Sequence, residues 1–87
     1  MSIPTGTSDD ELIIEVALRL PEDGDPNQDF LFDLAHGMSL EELASRYASG
    51  NITSVRSRIA IQYEKLGIPL PFTDPRAMHI LRSAFDL

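Results

Sequence analysis

Between Ser54 and Ile68 the chain reads SVRSRIAIQYEKLGI, where hydroxyls and cations are interleaved with apolar residues. Ile52, Val55, Ile59, Tyr63 and Leu66 recur at spacings of 3, 4, 4 and 3, the period of a helix that buries one face. The outward side of such a helix carries Thr53, Arg56, Ser57 and Ala60, and next to them Ser54, Arg58, Ile61 and Lys65. Short side chains let a helix backbone approach another surface closely. A guanidinium can fork onto a phosphate or onto the O6 and N7 edge of guanine. The chemistry on offer is therefore hydrogen bonding and charge pairing, with no bond made or broken. Arg56 is expected at base edges and Arg58 at phosphate, with Thr53, Ser54, Ser57 and Ala60 completing the surface.

No second chemistry assembles from the rest of the chain. His36 and His79 are far apart and lack partners at metal-ligand spacing; His36 falls where a helix end favours a cation. The acids fall at helix starts and in loops, where capping and solvation explain them, and no Ser–His–Asp or paired-carboxylate arrangement emerges. The five glycines are scattered at turns and form no phosphate loop. There is no cysteine, which excludes disulfides and thiolate metal sites. No catalytic residue, cofactor or metal is expected, and the chain does not read as an enzyme.

The elements that must position this surface are marked by helix caps. Ser8 with Glu11 three residues on, and Ser39 with Glu42, have capping-box spacing. Asp25–Pro26 and Asp74–Pro75 place a capping acid before a proline at the first helical position, and Gly37 and Gly67 read as stops. Residues 49–51, SGN, form a turn. ELIIEVALRL at 11–20 fits a helix with Glu11, Glu15 and Arg19 on its wet side. A strand is the rival, because Ile14, Val16, Leu18 and Leu20 also alternate. With Phe30, Leu31, Leu34 and Ala35 in one helix and Leu40, Leu43, Ala44 and Tyr47 in the next, three short amphipathic helices can bury their stripes only against one another. The expected fold is all-α: a small bundle of four to five helices around a trihelical helix-turn-helix core. An apolar, acidic N-terminal segment (1–23) precedes the helix-turn-helix domain and its C-terminal helix (24–87).

LAHGMSLEELASRY, SVRSRI and YEKLGI together resemble the LuxR/GerE type of helix-turn-helix over about residues 26–68, and DPRAMHILRSAF more loosely resembles that family's last, often dimerising helix. The resemblance implies sequence-specific binding of double-stranded DNA, with a recognition helix at about 52–66 and Arg56 and Ser57 meeting the major groove. Three features depart from the family. The turn ASGNIT is one residue longer, the linker IPLPFTDP is longer, and Gln62 stands where the family has an apolar core residue. The family also hangs this module on a receiver or ligand-binding domain. Read as complete, this chain is a stand-alone module.

Charge sharpens the question. The chain has 14 acids and 7 bases, a net −7. Residues 1–36 hold nine acids and one base (net −8), whereas residues 37–87 hold five acids and six bases (net +1). The acidity belongs to the front. Phosphates respond to local potential within a Debye length of about 8–10 Å, so the total does not exclude DNA. Two functions follow. One is a small DNA-binding regulator, expected as a homodimer because single modules bind weakly. The other is a protein-interaction module whose acidic N-terminal segment engages or masks another regulator or a polymerase subunit. Acids folded over Arg56 and Arg58 would favour the second, and an open recognition helix the first. The start of the chain has no basic and apolar leader, and LIIEVALRL is too short to span a bilayer, so the cytoplasm is expected, with no membrane contact.

Overall fold

Every helix among the described residues begins where a side chain takes up a free backbone N–H. The computed structural model describes residues 8–87, so the first seven residues of the acidic N-terminal segment lie outside the described residues. Five helices follow in order: α1 (Asp9–Arg19), α2 (Pro26–Ala35), α3 (Leu40–Tyr47), α4 (Ile52–Leu66) and α5 (Pro75–Ala84). The described residues contain no strand. The protein is an all-α bundle.

Ser8, Asp25, Ser39, Asn51 and Asp74 cap the five helices in turn, each accepting a backbone N–H two or three residues on. Of the two capping boxes expected, the one at Ser39 closes in both directions with Glu42, while at Ser8 only the serine's half is formed. α4 ends in a Schellman motif. Gly67 sits at φ 82°, Gly67 N–H donates to the Glu64 carbonyl and Ile68 N–H to the Tyr63 carbonyl, and Ile68 tucks into the core.

The core gathers residues from all five helices. Val16 comes from α1, Phe30, Leu31, Leu34 and Ala35 from α2, and Leu43 and Ala44 from α3. Val55, Ile59, Tyr63 and Leu66 come from α4, and Ala77, Ile80 and Leu81 from α5. Ile52 and Tyr47 are half-buried and pack against this cluster from its edge. The 11–20 stretch is a helix, which settles its rivalry with a strand. Its inner face (Leu12, Ile13, Val16, Leu20) packs mainly on α5 and reaches α4. Its outer face leaves Ile14 and Leu18 in solvent, so Glu11, Glu15 and Arg19 are not its only wet residues. Two contacts fix its ends. Arg76 Nη2 meets Asp9 Oδ1 at 2.7 Å, and Arg19 Nη1 donates to the Leu66 carbonyl at 3.4 Å.

Candidate nucleic-acid interface

The helix pair that would carry the interface is α3 and α4, which pack closely on one another. Residues 48–51 join them. Ser49 (φ 50°) and Gly50 (φ 87°) are both left-handed, which reverses the chain, and Gly50 N–H reaches back to the Ala44 carbonyl at 2.8 Å. The Asn51 carboxamide then accepts the Ser54 N–H at 3.0 Å and starts α4.

A ladder of polar and aromatic contacts holds α4 and α3 to α2. The Arg58 guanidinium lies over the Phe30 ring, 4.4 Å from its centroid, and Arg58 Nη2 donates to Asn27 Oδ1 at 3.0 Å. Phe30 meets Tyr47 edge to face at 5.3 Å. Asp33 Oδ2 accepts both the Tyr47 hydroxyl (2.5 Å) and Arg46 Nη1 (3.1 Å). Burial, and then the hydrogen bond to Asp33, raise the Tyr47 pKa above its ordinary value, while the carboxylate's field raises that of Arg46. Arg58 is therefore not the free cation its position suggested: one edge of it is committed to α2.

Along α4 runs an open groove of about 500 Å3, walled by Asn27, Asn51, Thr53, Ser54, Ser57, Arg58, Ile61, Gln62 and Lys65. No carboxylate lines it. Four of the six residues expected at the surface (Thr53, Ser54, Ser57 and Arg58) meet here. Ala60 does not; it lines a second, more apolar groove of about 420 Å3 with Tyr63, Glu64 and residues 68–72. Arg56 lines neither groove and is exposed. Helix geometry explains the split, since residues two apart point about 200° apart, so Arg56 and Arg58 stand on opposite flanks of α4.

The acids of the front segment lie elsewhere. Asp9 pairs with Arg76, whose hydrogen bond holds the carboxyl below the usual aspartate range, and Glu15 faces Arg19 at 3.6 Å. Among the described residues, no carboxylate forms an ion pair with Arg56, Arg58 or Lys65. Nor do the described His, Asp and Glu residues form a cluster able to hold a metal ion. No helix among the described residues is long and apolar enough to cross a membrane. His36 behaves as a helix-end residue, its Nδ1 lying 2.8 Å from the Phe32 carbonyl.

Sequence reasoning missed Asn27 and Asn51 as groove residues. Asn27 belongs to the start of α2, and only the packing of α2 against α4 brings it to Arg58. Gln62, 5% exposed, is the polar residue of an otherwise apolar buried set among the described residues, and it lines the groove wall. Tyr63 is the opposite case. Its hydroxyl is buried without a partner, and burial pushes its pKa up to about 12. No family model matches the chain, and neither a curated protein nor a solved structure is found to be similar to it.

Proposed function

We propose that this chain is a small DNA-binding transcriptional regulator that lays α4 in the major groove of double-stranded DNA. One observation carries the reading. In a chain whose acids outnumber its bases two to one, the groove along α4 has no carboxylate in its walls and presents two cations, three amides and three hydroxyls. These groups match phosphate oxygens and base edges. Arg56, exposed on the other flank of the same helix, adds a guanidinium without an acidic partner among the described residues. Ser54 and Ser57 keep the α4 backbone close to the groove floor, and Arg58, steadied by Asn27 and Phe30, turns its remaining N–H groups to phosphate. Ile61, 54% exposed, suits a thymine methyl.

The working form in this reading is a homodimer, because one module of this size makes few contacts. Phe32 (42% exposed) lies edge to face on Phe85 at 5.6 Å, an apolar patch where α2 and α5 end, and Leu87 (49% exposed) follows two residues after Phe85. Arg82 and Asp86 beside it give a second copy complementary charges. Sedimentation of wild type and Phe32→Ser tests this: a dimer that the substitution dissociates supports the assignment, and a wild-type monomer at high concentration removes it.

The DNA assignment is tested by titrating labelled full-length protein with a random-sequence duplex while following backbone amide shifts. The residues expected to move first are Asn27, Asn51 and 53–65. Movement confined to α1, or none at low salt, would exclude this interface. Masking by the front segment has less support, since α1 packs on α5 and α4 and none of its residues lines the groove.

A further inference from the structure

α1 has two apolar faces, and the bundle uses one of them. Leu12, Ile13, Val16 and Leu20 face inward. Diametrically opposite, Ile14 (61% exposed) and Leu18 (82% exposed) sit four residues apart, one turn of the same ridge. They are the most exposed large aliphatics among the described residues, and nothing in the bundle's core calls for them.

The charge around this ridge says what would cover it. Asp10 and Glu11 precede it, Glu15 flanks it, and Glu22 and Asp23 follow it, all of them exposed. The one base of the helix, Arg19, is drawn away to the Leu66 carbonyl and to Glu15. Among the described residues Asp10, Glu11, Glu22 and Asp23 have no ion-pair partner. A second copy offering the same face would set these acids against their equivalents, and like charges brought together oppose docking. An occupant with its own apolar ridge between lysines or arginines meets both features at once. We propose that the outer face of α1 is a docking surface for a basic amphipathic helix of another protein, with Ile14 and Leu18 as anchors and the surrounding acids selecting the charge. This is helix-on-helix recognition, read as anchors at i and i+4. It leaves the α4 groove free, so the chain could hold a basic protein on one side while its recognition helix faces the other.

The test uses the labelled full-length chain and a synthetic 18-residue helix of leucine and lysine patterned with one apolar face. The same peptide with glutamate for lysine serves as a second probe. Saturable binding of the lysine peptide is expected, with the largest amide shifts at 10–18 and no binding of the glutamate peptide. Ile14→Ser/Leu18→Ser alters only exposed side chains, so the fold persists. It should weaken binding about tenfold or more, as loss of two anchors at a helix contact does, while DNA affinity stays unchanged. Asp10→Asn/Glu11→Gln should weaken binding about threefold and flatten its salt dependence, as loss of complementary charge does. Any of three results overturns the proposal. Equal binding by the serine double variant would mean bulk charge attraction only. Equal binding of the glutamate peptide would mean that the acids select nothing. A wild-type dimer that the serine double variant dissociates would mean that a second copy takes the face.

Discussion

Two arginines two residues apart in the same helix do different work. Arg58 stacks on Phe30 and donates to Asn27, so its loss removes a cation–π contact and a hydrogen bond from the joint between α2 and α4. Arg58→Ala is expected to lower unfolding free energy by about 1–2 kcal/mol, read from urea denaturation. Arg56→Ala is expected to leave the melting temperature unchanged and weaken duplex binding by about 1–3 kcal/mol. A melting shift equal to that of Arg58→Ala would mean that Arg56 is structural. Tyr63 gives a pH signature. Its phenol stays protonated in the fold up to about 12, whereas the unfolded chain loses that proton near the ordinary tyrosine value of about 10. Between those values the fold binds more protons than the unfolded chain, so stability falls as pH rises through that window. Tyr63→Phe removes this share of the alkaline loss. At neutral pH the variant should be as stable as wild type or more so, because the lost hydroxyl had no partner. Melts at pH 8 and pH 11 check both signs, and a large loss at pH 8 would reveal a partner for the hydroxyl.

At the scale of helices, the core assignment predicts that Ile59→Ala costs about 2–5 kcal/mol, because Ile59 is fully buried at the centre of α4's inner face. A loss below about half a kcal/mol would mean that the inner face is wrongly assigned. Gly67 is a separate constraint. It holds φ 82°, and a Cβ there would meet the Arg19 guanidinium, so Gly67→Ala is expected to cost about 1–2 kcal/mol and to loosen α1 from the end of α4. Thermal melts with hydrogen exchange along 9–19 measure both effects. The starts and stops of these helices were legible in the sequence because capping is local chemistry: Ser8, Asp25, Ser39, Gly67 and Asp74 act within three residues of where they stand. The buried stripe of α4 was legible for the same reason, as a spacing along a single element. The partner of Arg58 was not, because Asn27 and Phe30 lie about thirty residues away and meet it only when α2 packs on α4. Glu11, Glu15 and Arg19 were legible as a wet side of α1 and are exposed, but the exposure of Ile14 and Leu18 beside them was hidden. Both of its faces are apolar in sequence, and only its docking on α5 decides between them.

For the molecule as a whole, the distribution of charge matters more than its sum. Asp9, Glu15 and Asp33 are engaged with Arg76, Arg19 and Arg46, which ties acid to base within the bundle and leaves the α4 groove without carboxylates. Removing residues 1–23 would therefore be a poor test of electrostatic masking, since it also takes Val16 from the core and uncovers α5. Neutralising Asp10, Glu11, Glu22 and Asp23 in place changes the charge and keeps the packing. DNA affinity should then rise modestly at low salt and converge with wild type at high salt. The central claim is that α4 carries a phosphate-facing surface, and the most direct measurement is duplex affinity of the wild-type chain across a salt series. Each neutralised phosphate contributes about 0.9 to the magnitude of the slope of log affinity against log salt, so about three to five contacts predict a slope of about −2.7 to −4.5. The same slope should shrink by about 1 when Lys65, a groove cation that the proposal sets against phosphate, is replaced by alanine. Affinity that does not change with salt, or no binding at low salt, would contradict the account.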